Sequence, residues 1–95
     1  EALEFIPQPL IGIDQDGIIA FANCAAERLF DISTPLLGTN LGISLPELHH
    51  SVENVEEGQI FSTRIAHQKI STSWRGMGNK TRARGKLITI NRIHD

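Results

Sequence analysis
The residues of this chain with reactive or ligating side chains are few and scattered. Cys24 is the sole cysteine and follows Asn23 directly, where the free N–H groups of a helix start would favour a thiolate. With no second thiol or base at fixed spacing, it reads as a small packed hydrophobe. His49 and His50 are adjacent. On a helix, neighbours point about 100° apart, so the two cannot bind one metal from a single face; one of them can project inward beside Leu48 and Val52. Asp14 and Asp16 flank Gln15 and read as turn chemistry, not as a carboxylate pair for acid–base work. His67 and His94 stand alone. No nucleophile–base set or metal spacing is legible, and the fragment is read as non-enzymatic.

Charge is unevenly spread. Residues 1–63 hold ten of the eleven acids and a single base, Arg28, whereas residues 64–95 hold eight of the nine bases and one acid, Asp95. Arg75, Lys80, Arg82, Arg84 and Lys86 gather about one glycine-punctuated stretch, Met77–Gly85. No aromatic residue interleaves with them to stack on bases, which speaks against nucleic acid. The cluster is read as balancing the acidic stretch Glu47–Glu57 within one molecule or across a dimer. Ninety-five residues make one domain, 1–95, with one modest core. No apolar run approaches the ~20 residues of a membrane span, so no membrane contact is expected. One cysteine fits a reducing, cytoplasmic compartment.

Elements must place these residues. Leu10–Ile13 and Ile18–Ala22 read as two strands, with Asp16-Gly17 supplying positive backbone angles for a hairpin turn. Asn23 is positioned to cap a helix over Cys24–Asp31. Thr34-Pro35 begins a further helical turn that Gly38 ends. Leu41–Leu45 reads as a loop or short turn. Ser44-Leu45-Pro46-Glu47 resembles a capping box before a helix from Pro46 to about Glu57, with Leu45, Leu48, Val52 and Val55 on one side and Gly58 as terminator. Gln59–Gln68, Lys69–Gly76 and Lys86–Ile93 alternate as strands, and Trp74 is expected to pack within the second of them. Glu1–Ile6 reads as the end of a helix stopped by Pro7 and Pro9, so residues 1–8 are taken as the end of a linker or cap helix belonging to a longer protein. The order is that of an α+β fold, an antiparallel five-stranded sheet with short helices across one face.

The ordered set Asp16-Gly17-Ile18-Ile19, a strand, Asn23, Ala25-Ala26-Glu27, Leu29-Phe30 and Leu36-Leu37-Gly38 resembles the opening of a PAS sensory domain, and the likeness continues more weakly to Ile93. That resemblance implies strand order 2-1-5-4-3. It also implies a sensing and dimerisation module of a bacterial signalling protein such as a two-component kinase, a cyclic-dinucleotide enzyme or a transcription regulator. The module would bind a small apolar ligand or relay a conformational change to a flanking domain. The alternative is a ligand-free interaction module that holds two chains together.

Alternation nominates pocket residues: Ile13, Ile19 and Phe21 on the hairpin, Leu29, Leu37 and Leu48 on helices, and Phe61, Ile88 and Ile90 on later strands. Asp16, Gly17 and Asn23 are the structural motif. Flavin-binding relatives carry their cysteine in a later helix within a longer pattern that this chain lacks, which argues against flavin. Haem-binding relatives hold iron by one histidine in roughly the zone of His49 or His50, but exposed polar residues on an amphipathic helix are the plainer reading, and no cofactor is assigned. At the end of the chain Arg92 stands where many relatives have an acid that couples the last strand to the output.

Overall fold
The computed structural model of the chain describes residues 8–30, 35–65, 67–77 and 85–93. Two short strands, β1 (Leu10–Ile13) and β2 (Ile19–Ala22), lead into helix α1 (Cys24–Phe30). Helices α2 (Leu41–Ser44) and α3 (Pro46–Asn54) follow, and then strands β3 (Phe61–Ile65), β4 (Gln68–Met77) and β5 (Gly85–Arg92). All five strands form one antiparallel sheet in the order β2-β1-β5-β4-β3. The α+β reading and its strand order hold.

The core lies between one face of the sheet and the helices. Alternation along the strands sends Ile11 and Ile13 of β1, Ile70 of β4, and Ile88 and Ile90 of β5 to that face, all at 3% exposure or less. Ala26, Phe30, Leu41, Leu48 and Val52 of the helices meet them there. Thr72 is the one buried polar side chain among the described residues. Its hydroxyl donates to the Thr89 carbonyl at 2.8 Å, which removes the cost of burying it.

Several boundaries differ from the sequence reading, each for a local reason. Residues 41–44 form a helix, in place of the loop or short turn expected, because the Asn40 side chain accepts from Gly42 N at 2.8 Å and caps it. Helix α3 has Pro46 in its first turn, but its cap position is Leu45, without a side-chain bond. Ser44 Oγ donates instead to Thr39 Oγ1 at 2.9 Å, so the expected capping box does not form. The helix stops at Asn54, whose side chain donates to the His50 carbonyl at 2.7 Å, and Val55 is extended. Gln68 pairs with Ile65 as the first residue of β4 instead of ending β3. Leu36–Thr39 closes a single hydrogen-bonded turn. Gln8 is not helical; the helix read over Glu1–Ile6 lies outside the described residues, as do Asp31, Thr34 and His94.

Candidate functional site
The β1–β2 connection is held by one carboxylate. Asp14 Oδ1 accepts from Asp16 N at 2.9 Å and from Ile18 N at 3.0 Å, while Gly17 N donates to the Asp14 carbonyl at 3.0 Å. Gly17 takes φ 83°, where a β-carbon would be strained. Asp16 has no positive φ, so the pair expected to supply two such angles supplies one. Asp14 is the bonding residue of this turn.

Asn23 joins three segments. Its Oδ1 accepts from Ala26 N at 3.0 Å, capping α1, and from Leu10 N at 3.0 Å, at the start of β1. Its Nδ2 donates to the Gln8 carbonyl at 3.0 Å. One amide therefore fixes the incoming chain, the first strand and the first helix together. The incoming chain is also tied to the last strand. Ile90 N donates to the Pro9 carbonyl at 3.1 Å, and Gln8 Nε2 donates to Asn91 Oδ1 at 2.9 Å. Arg92 is exposed just beyond this point.

The nominated pocket residues separate into three groups. Ile13, Ile19, Leu48, Ile88 and Ile90 are buried in the core at 3% exposure or less, and Leu29 and Phe61 pack against it partly buried. Phe21 and Leu37 do not join them, being 47% and 59% exposed. For Phe21 the cause is a bulge in β2. Ile13 faces Ile19 and Gly12 faces Phe21, so the extra residue, Ala20, shifts the alternation and turns Phe21 to the outer face beside a glycine. Leu37 sits at the tip of the Leu36–Thr39 turn, which buries only Leu36. Ile11, Leu36, Leu41 and Ile70 are core residues outside the nominated set, and Val52 is buried on the apolar side of α3 where its spacing puts it.

A cleft of about 270 Å³ opens at the hairpin end of the sheet, lined by Ile13, the Asp14–Gly17 turn, His49 and Glu53 of α3, and Lys86 of β5. His49 lies against the backbone of Gly17 and Gly42, where a β-carbon would meet its ring atoms at 4.0 and 3.4 Å. Its Nε2 is 3.7 Å from Glu53 Oε2, and Lys86 Nζ is 3.8 Å from the same oxygen. His50 is exposed. Lys86 also stands 4.4 Å over the Trp74 ring, and Trp74 Nε1 donates to the Val55 carbonyl at 2.8 Å. The Lys86–Glu53 pair is a contact between the basic hairpin and the acidic helix within one molecule. Lys80, Arg82 and Arg84 lie outside the described residues. Cys24 is exposed, contrary to its reading as a packed hydrophobe.

Among the described residues, no group of three or more His, Cys, Asp or Glu side chains is placed to hold a metal. Among the same described residues, no helix is long and apolar enough to cross a membrane.

The fold recurs in solved structures. The Aer2 receptor of Vibrio cholerae, a dual PAS-haem oxygen sensor, superposes with a TM-score of 0.71 at 18% identity, over 93% of this chain and 96% of that one. The PAS domain of Bordetella pertussis BvgS gives 0.71 at 15% identity, over 94% and 79%. The sensor region of a sensor histidine kinase gives 0.69 at 19% identity, with 88% of this chain covering 38% of that one. A comparison with curated proteins finds no match. A family model of the PAS fold matches residues 1–92, and with it the hairpin, the Asn23 cap and the strand order have one explanation: the chain belongs to the PAS family.

Proposed function
We propose that this domain is a cytoplasmic signal-relay and assembly module of a larger bacterial signalling protein. It passes a change at its incoming segment to whatever follows its last strand. The observation that carries this reading is the stitching of Gln8 and Pro9 to Ile90 and Asn91, with Asn23 holding the Gln8 carbonyl from the other side. A rotation of the incoming chain must break or drag these bonds, which end one residue short of Arg92. Two arrangements of that junction would differ by few contacts, so a modest differential interaction can shift their populations.

Relay is favoured over capture of a small apolar ligand because the interior positions nominated as pocket lining are packed against one another. Haem is not favoured either. His49 borders a cleft shared with Glu53, Lys86 and two aspartates, while the inward side of α3 is Leu48 and Val52. Catalysis, where the parent protein has any, belongs to another domain, since PAS domains are sensory modules.

The test uses the protein with its flanking domains attached. Asn91→Ala should move the output activity of the attached domain from its basal level while the melting temperature falls by only a few degrees. Unchanged output in a folded variant contradicts the relay. A thermal-shift screen addresses the ligand separately: a reproducible ligand-dependent rise would restore the ligand-sensing reading.

A further inference from the structure
The face of the sheet turned away from the helices holds two cations side by side. Arg64 of β3 stands directly opposite Lys69 of β4. Their neighbours Ile65 and Ile70 are buried in the core, so alternation turns both charged side chains to the outer face, where both are exposed. The Lys69 carbonyl accepts from Ile93 N at 3.0 Å, on the β5 side. Lys69 and Arg64 are therefore a non-hydrogen-bonded pair, the kind with Cα atoms about 4.5 Å apart and side chains at their closest. Like charges placed directly opposite destabilise a sheet.

Nothing in the sheet offsets that repulsion. None of the strands β1–β5 contains Asp or Glu, and among the described residues neither Arg64 nor Lys69 forms an ion pair. Two residues along the same strands, Ser62 stands opposite Ser71 on the same face, the first exposed and the second half-buried. Among the described residues, side-chain hydroxyls donate at Thr39, Ser44 and Thr72, and not at this pair. Two cations and two free hydroxyls thus share one small patch, with about 7 Å between the two rows.

We infer that this patch binds the dianion of a phosphate monoester. A guanidinium and an ammonium match its two charges. Its three terminal oxygens can accept from both cations and a hydroxyl at once, which a carboxylate with two oxygens in one plane cannot do. A bound dianion also cancels the repulsion between Arg64 and Lys69, so binding strengthens the ladder where the bare sequence weakens it. A nucleic acid fits less well. Its diester phosphates carry one charge each, and Phe61 and Trp74, the aromatic residues of β3 and β4, pair with Thr72 and Ile88 on the core face, away from the patch. The donors are exposed to water, which keeps the affinity low, with a Kd of about 1–10 mM. The site stands apart from the core and does not depend on the relay reading.

Amide NMR titration of the protein with inorganic phosphate, at an ionic strength held constant with chloride, reads the site directly. Saturable shifts are expected at Ser62, Arg64, Lys69 and Ser71. Arg64→Gln and Lys69→Gln should each weaken binding about three- to tenfold, and Ser71→Ala about two- to threefold. Arg75→Gln, at an exposed cation farther along the same face of β4, should leave it unchanged. Loss of fold cannot mimic this result: Lys69→Gln relieves the repulsion, so its melting temperature without phosphate should not fall, while the rise on adding phosphate should shrink. Co-sedimentation with phosphatidylcholine vesicles holding phosphatidic acid, against vesicles holding phosphatidylserine, distinguishes the sources. Retention by phosphatidic acid alone, lost in Lys69→Gln, puts the monoester on a lipid; saturable phosphate binding without retention puts it on a soluble molecule. Shifts spread evenly over the cationic residues overturn the inference, as does binding unmoved by both Gln substitutions or no binding to either probe.

Discussion

The two ends of this sheet are held by different means. The β1–β2–α1 end has four-residue strands and a seven-residue helix, too short to stand on their own ladders. It is fastened at points: Asp14 across the turn, Asn23 across three segments, Asn40 at α2, and Glu27, whose carboxylate accepts from Leu36 N at 3.2 Å. Toward the other edge, the central strand β5 and its neighbour β4 form an eight-pair ladder from Ile70↔Arg92 to Met77↔Gly85 with apolar side chains beneath it. Point fastening concentrates stability in single polar atoms, whereas a ladder spreads it. Short elements near the incoming chain can then rearrange by exchanging a few bonds, while the ladder keeps its register.

The contrast can be tested by substitution and urea unfolding. The largest effect is expected at Ile88, fully buried in β5 beside both β1 and β4. Ile88→Ala should cost about 3–4 kcal/mol. Asn23→Ala comes next, at about 2 kcal/mol, because it removes a cap and the ties to Leu10 and Gln8 together. Amide exchange should show that loss first at Leu10 and Ala26, with β4–β5 protected; uniform loss across the sheet would erase the distinction. Asp14→Ala should cost about 1 kcal/mol, felt at the turn amides of Asp16 and Ile18. Glu53→Gln weakens only partly exposed contacts with Lys86 and His49, and its cost should stay below about 1 kcal/mol. Leu37→Ser should change stability by no more than about 0.5 kcal/mol, as expected of an exposed turn tip.

What could be read from the residues follows the same division. The hairpin, the Asn23 cap and the first helix were legible because their determinants are neighbours in the chain: Asp16-Gly17 followed by Asn23 and a run of helix formers. The four residues of α2 were not, since Gly42 and Ile43 carry little helix propensity and the helix depends on one bond from Asn40. The bulge in β2 depends on its pairing with β1, which no local pattern contains, and so plain alternation puts Phe21 on the wrong face. The cleft was invisible for a related reason. It is assembled from a turn at residues 14–17, a helix turn at 49–53 and Lys86, which only the folded chain brings together.

Trp74 has a practical consequence. It is the chain's sole tryptophan, with its indole N–H on the Val55 carbonyl and an ammonium over its ring. Its emission wavelength and quenching should therefore follow the spacing between the end of α3 and the sheet. The molecule carries its own optical gauge for that gap, readable without a label.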